Sequence, residues 1–195
     1  MKKVLIPILL GLCTTQMWAQ SNFSVTYPIS LPAGDLKDFV YKGSFRGIAV
    51  DYRYAFKSTM AVGVSAAWQT FYDERSADTY TVENISIHGK KYRYSDNVPM
   101  VATATYFMEP NEMFKPYATV GLGVMYTRRN TDMNIYRIEQ EAWNFTLQPE
   151  IGVQIHTGEL MGIVLSGKYT HGFQAGSELH EPQTFFSLHI GLCFF

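Results

Sequence analysis

Along most of the chain, apolar side chains alternate with small or polar ones, the two-residue period of a strand whose faces meet different surroundings. The pattern predicts eight strands, over 22–31, 44–56, 60–71, 98–108, 116–127, 143–156, 161–173 and 184–195. It is clearest in the sixth. There Trp143, Phe145, Leu147, Pro149, Ile151, Val153 and Ile155 share one face, and Asn144, Thr146, Gln148, Glu150, Gly152, Gln154 and His156 share the other. Most segments are close to the ~9 to 11 residues that a tilted strand needs to cross a bilayer.

The connections alternate strictly in length. Those at 57–59, 110–115 and 157–160 are short, whereas 32–43, 72–97, 128–142 and 174–183 are long and polar. Short periplasmic turns opposite long external loops characterise outer-membrane barrels, and only helices and closed barrels satisfy every backbone group in lipid. The expected fold is all-β: an eight-stranded antiparallel up-and-down transmembrane β-barrel with both termini on the periplasmic side. Within 72–97, Tyr80–Ile87 and Tyr92-Arg93-Tyr94 flank His88-Gly89-Lys90-Lys91. That pattern predicts a hairpin standing above the membrane and turning at His88–Lys91.

With strand direction taken from loop length, the aromatic residues fall into two rings. Trp68, Tyr126, Trp143, Tyr169 and Phe186 are expected to point outward near the external ends, and Tyr52, Tyr54, Tyr106 and Phe194 near the periplasmic ends. Between them lie Val50, Val64, Ala102, Leu122, Ile151, Leu165 and Ile190. Two aromatic girdles around an apolar band are what outer-membrane lipid selects. A soluble barrel of lipocalin type would keep its apolar side inward instead.

The inward face then carries the charges. The short turn at 157–160 sets a register that places Glu150 opposite Lys168, with Asp51 and Arg53 across the lumen and Gln148 and His189 as further hydrogen-bonding groups. Eight strands leave an interior that side chains fill, so the expectation is a plugged lumen.

The N-terminus changes the boundaries. Lys2 and Lys3 precede an apolar run, Val4–Leu12, and a polar stretch leading to Ala19. This predicts a signal peptide over 1–19, removed on export, and a barrel domain over 20–195. Cys13 follows the bulky Leu12, unlike a lipid-attachment site. The chain carries 16 Lys and Arg against 17 Asp and Glu, so no basic field exists to hold nucleic acid. Cys193 alone remains in the mature chain, and no internal disulfide can form.

Gly34-Asp35-Leu36-Lys37-Asp38-Phe39, Ser44-Phe45-Arg46-Gly47, Tyr92-Arg93-Tyr94, Lys115-Pro116-Tyr117 and the terminal Phe195 resemble small outer-membrane β-barrel proteins common in Bacteroidota, related to the OmpX and OmpW barrels. The resemblance covers most of the mature chain and implies the bacterial outer membrane as location, with no catalytic motif to carry over. It also implies that Gly191, Phe194 and Phe195 form the signal read by the barrel-assembly machinery, with periplasmic chaperones as escorts and outer-membrane lipids as surroundings.

Candidate chemistry is sparse. His171 with Ser177 and Glu178 would supply a nucleophile, a base and an orienting group, but three common residue types near one loop are weak grounds for an enzyme. His180-Glu181 with His171 lacks any known metal-ligand spacing, and no cofactor is expected. Lys90, Lys91, Arg93, Arg128 and Arg129 are candidates for holding lipopolysaccharide phosphates; the bland reading is a solvated charged rim. Gly121-Leu122-Gly123 lies inside a strand, where its glycines are expected to relieve crowding rather than bind phosphate. The leading function is a non-enzymatic structural or surface-interaction barrel acting through its external loops on an unidentified ligand. A narrow conduit for small apolar solutes ranks second and a lipid-modifying enzyme third.

Overall fold

The computed structural model describes residues 21–82, 85–108, 113–133, 136–158, 160–174 and 181–195. The segment read as a signal peptide lies outside them. Eight strands form a closed antiparallel barrel in chain order: β1 (Ser21–Ala33), β2 (Gly47–Lys57), β3 (Met60–Val82), β4 (Ile85–Phe107), β5 (Phe114–Met133), β6 (Tyr136–His156), β7 (Met161–Gly172) and β8 (Gln183–Phe194). β1 and β8 close it, from Phe23 opposite Phe194 to Ala33 opposite Thr184. Closure leaves no strand edge within the wall, the condition for a sheet to stand in lipid.

Alternation sorts the side chains as the sequence predicts. Ser24, Thr26, Asp51, Thr103, Thr119, Thr146, Ser166 and Ser187 are buried inside, while Val64, Leu122, Ile151 and Ile190 are exposed outside. Strand prolines sit where a ladder is interrupted, because proline has no N–H to donate. Pro28 lies beyond Thr26, where β1 stops pairing with β2. The β3–β4 register skips the positions of Pro99 and Val98, and the β6–β7 register skips those of Gln148 and Pro149. In that second gap the Gln148 side chain donates to the Thr170 hydroxyl, 2.9 Å away. At Gly123 and Gly191 an added Cβ would fall 2.1 Å from the Met100 carbonyl and 2.0 Å from the Val25 carbonyl. Gly123 therefore serves close backbone approach rather than relief of crowding in the lumen.

The hairpin expected within 72–97 is present and longer than read, and the connection expected over 128–142 is a second hairpin. β3 and β4 run for 23 residues each and stay paired to Val82 opposite Ile85. β5 and β6 likewise stay paired to Met133 opposite Tyr136. The expected turn at His88–Lys91 is corrected: His88 and Gly89 lie within β4, opposite Thr79 and Asp78, and Lys91 lies opposite Arg75. The physical reason is that outside a membrane both faces of a strand meet water, so the apolar–polar contrast fades although Thr, Tyr, Val and Ile keep their preference for extended backbone. Because β2 stops at Gly47 opposite Gln69 and β7 at Gly172 opposite Thr146, β3 to β6 continue alone as a protruding four-stranded sheet.

The loop at 32–43 contains a short helix, α1 (Asp35–Phe39), entered through Gly34 at φ 54°. Leu36, Phe39 and Val40 have the three- and four-residue spacing that places apolar groups on one helical side. That side drops into the external mouth of the barrel.

Candidate functional site: the sealed lumen and the external sheet

The interior is arranged in layers. At the periplasmic end Ala61, Phe107 and Tyr117 form a buried apolar cluster, with Ala55 packed against it. Above it lie four charges. Arg53 Nη2 donates to both oxygens of Glu150 at 3.2 Å, and Lys168 Nζ donates to Asp51 Oδ1 at 2.7 Å and to the Ser65 hydroxyl at 3.4 Å. The cross pairs are longer: Lys168 to Glu150 3.6 Å and Arg53 to Asp51 4.0 Å. Two acids and two bases, each at most 4 % exposed, thus neutralise one another, as buried charges must. Tyr117 completes the group. Its hydroxyl donates to Glu150 at 2.7 Å, and its ring lies 4.7 Å beneath the Arg53 guanidinium.

The remaining residues expected in the lumen are inward but peripheral to the quartet. Gln148 bridges to Thr170, and His189 Nδ1 lies 3.0 Å from the Thr26 hydroxyl. Tyr117 and Ser65 were missed. The signal for Tyr117 was its parity, since it shares the inward face of β5 with Thr119.

The external end is closed by an apolar cap of Leu36, Val40, Phe71, Met125 and Phe185, all fully buried, with Phe39 against it. Phe71 and Phe185 rings meet at 5.5 Å. Large apolar groups at inward positions 71, 125 and 185 break the polar pattern of that face, and this was the legible sign of a cap.

The cationic rim expected at the top is rearranged. Arg93 and Arg129 have inward parity, and their guanidiniums lie 4.9 and 4.4 Å from the Phe39 ring. Arg93 donates to the carbonyls of Phe39 at 2.9 Å and Asp38 at 3.3 Å, and Arg129 to Glu181 at 2.8 Å and Gln183 at 3.0 Å. Both hold the cap rather than face phosphates. Arg128 points outward, 3.6 Å from Asp96 and 3.8 Å from Glu139. The side chains of Lys90 and Lys91 lie outside the described residues.

So do Ser177, Glu178 and His180. His171 instead lies 2.8 Å from the Thr184 hydroxyl and edge-on to Phe173, while Glu181 pairs with Arg129. Among the described residues no three His, Cys, Asp or Glu side chains cluster as a metal site would require.

On the outside, Trp68, Trp143, Phe186, Tyr52, Tyr54, Tyr106 and Phe194 are exposed. Tyr126 lies beside Trp143 at 5.2 Å and Tyr169 beside Phe186 at 4.7 Å. The external ring is wider than expected, for Leu31, Tyr41, Phe45 and Phe145 are exposed too. At the C-terminus Phe195 stacks on His156 at 4.1 Å, and Gly191 pairs with Thr26 of β1. On the β5–β6 hairpin Arg137 donates to both oxygens of Asp132 at 2.7 and 3.2 Å, and this bond holds the Asp132 carboxyl below the usual range.

Known structures share this architecture. Neisserial surface protein A superposes with a TM-score of 0.58 at 13 % identity, over 90 % of this chain and 97 % of that one. The N-terminal β-barrel domain of OprF from Pseudomonas aeruginosa gives 0.51 at 11 % identity, over 90 % and 98 %. Comparison with curated proteins gives no match. Residues 5–194 match the family described as outer membrane protein beta-barrel domain, and the chain belongs to that family.

Proposed function

We propose that this protein is a non-enzymatic surface-interaction barrel: a sealed anchor in the outer membrane that displays the β3–β6 sheet to partners outside the cell. The observation that carries this reading is the continuation of four adjacent strands past the girdle. β3 extends fourteen positions beyond Trp68, about 45 Å of strand at ~3.3 Å per residue. Its two outer edges, β3 beyond Thr70 and β6 over 136–144, pair with no other described strand. Such edges are templates for strand addition by a partner. The closed lumen supports an anchor over a conduit, since an apolar cap and a packed charge quartet lie in series along it.

The same reading includes export through residues 1–19, escort by periplasmic chaperones and recognition of Gly191, Phe194 and Phe195 by the assembly machinery. It also sets the two aromatic rings against lipid. The test has two parts. In planar bilayers the purified protein should carry no steady single-channel current; regular current steps would replace this reading with the conduit. Trimming 75–91 and 132–137 to tight turns should preserve the gel-mobility difference between unheated and boiled protein. It should also abolish adhesion that cells displaying the intact chain show to immobilised extracellular protein.

A further inference from the structure

The outward face of the protruding sheet carries a group that neither the lumen nor the sheet edges use. Tyr72 on β3 stands opposite Tyr94 on β4, with ring centroids 5.0 Å apart. Tyr92, the next outward position on β4, lies 6.5 Å from Tyr72 with its plane within 14°. Polar side chains of the same face border the rings. Asp96 accepts from the Thr70 hydroxyl at 2.6 Å and lies 3.6 Å from Arg128; Asn130 pairs with Tyr94 and Asp132 with Tyr92 in the β4–β5 register.

Height identifies what meets this face. Tyr72 is four positions beyond Trp68, which at ~3.3 Å per residue and a tilt of ~35 to 45° is about 10 Å above the girdle. The face looks sideways, over the leaflet. Groups pressed against it at that height belong to lipid headgroups, whereas a water-borne partner would meet the tips and edges.

Charge identifies which headgroups. Among the described side chains, Arg128 and Arg137 are outnumbered on this face by Glu74, Asp96, Asp132, Glu139 and Glu141, and the arginines already engage Asp96, Glu139 and Asp132. A phosphate would meet net negative charge. A neutral sugar would not: it offers an apolar C–H face to aromatic rings, and hydroxyls to carboxylates, amide and guanidinium. Aromatic rings supply rigid contact area and fixed polar groups supply orientation. We propose that Tyr72, Tyr92 and Tyr94, with Asp96, Asn130 and Arg128, form a binding site for the saccharide of an outer-leaflet glycolipid. The site rests on the external placement of the long hairpins.

The full-length barrel, placed in phospholipid nanodiscs, is loaded with a glycolipid carrying a neutral oligosaccharide, or with the same lipid stripped of its saccharide, and retention is read by native mass spectrometry. Intact glycolipid should be retained at least about tenfold over stripped lipid, a difference of about 1.4 kcal/mol. The double substitution Tyr72→Ser and Tyr94→Ser should erase the preference, and Tyr72→Phe with Tyr94→Phe should keep it. Equal retention of the two lipids by the native chain, or a preference surviving the serine pair, overturns the proposal. If the serine pair loses the gel-mobility difference of a folded barrel, Tyr92→Ser alone decides, with a several-fold fall in preference expected and no fall counting against the site. Protease access to the β3–β4 hairpin on intact cells tests the external placement separately from retention.

Discussion

Glu150 stands opposite Lys168 across the β6–β7 ladder, yet the shorter contact of Lys168 runs across the lumen to Asp51, 2.7 Å against 3.6 Å. Register makes two groups neighbours; side-chain length decides which bond they make. The lysine is long enough to bypass its ladder partner, and Glu150 is taken by the two-fold contact from Arg53 and by Tyr117.

This geometry orders the couplings. Double-mutant cycles on protein folded into vesicles, read by urea unfolding, should give larger coupling for Arg53 with Glu150 and for Lys168 with Asp51 than for Lys168 with Glu150. Single changes such as Glu150→Gln or Arg53→Met should cost about 3 to 5 kcal/mol, the usual result of leaving a buried charge alone. Couplings all below about 1 kcal/mol would mean a water-filled, screened lumen.

Depth in the wall predicts a second ordering. Leu122 lies four positions along β5 from Tyr126, whereas Ile151 lies eight positions along β6 from Trp143. In an apolar band ~25 Å tall, the first sits near the middle and the second near the periplasmic edge. Leu122→Arg should therefore cost about 2 to 4 kcal/mol and Ile151→Arg nearer about 1 kcal/mol. The reverse order in urea titrations would show that the band is displaced along the strands.

Parity can be read chemically at Cys193. Its thiol is fully buried, inward, opposite Ser24 and Gly162. A membrane-permeant maleimide should leave the folded barrel unlabelled and react fully once the protein is boiled in detergent. Rapid labelling of the unheated form would place residue 193 on the outer face and shift all of β8 by one residue.

The wall was legible because a bilayer forces its contrast onto every strand that crosses it: Trp143, Phe145 and Ile151 on one side, Thr146, Gln148 and Glu150 on the other. Register at the short turns was legible for the same reason, which is why Glu150 and Lys168 could be set opposite each other. Above the girdle that constraint ends. Tyr80–Ile87 kept enough strand-forming residues to read as a hairpin, but with water on both faces nothing fixed its register, so its turn was misplaced at His88–Lys91 and the continuation of β5 and β6 read as loop. Arg93 and Arg129 were read as rim because inward parity was not carried past Tyr126. The cap escaped because α1 is five residues long, too short for a periodic signal.

That cap should open without unfolding the barrel. A helix of one turn is unstable alone, so α1 holds its place through Leu36 and Val40 in the seat of Phe71, Met125 and Phe185, and through Arg93 on its last carbonyls. Shortening Leu36 to Ala removes a fully buried side chain, a change that costs about 2 to 5 kcal/mol where the surroundings cannot collapse. Here the loss falls on the docked segment, because none of the wall ladders depends on it. Leu36→Ala, and Arg93→Met separately, should speed proteolytic cutting within residues 34–46 by tenfold or more while leaving the gel-mobility difference of the folded barrel unchanged. If cutting stays slow in both variants, the segment is held by the Ser30–Ser44 bridge and the exposed Tyr41 and Phe45 rather than by the cap. If the mobility difference is lost as well, the cap and the wall fold as one unit.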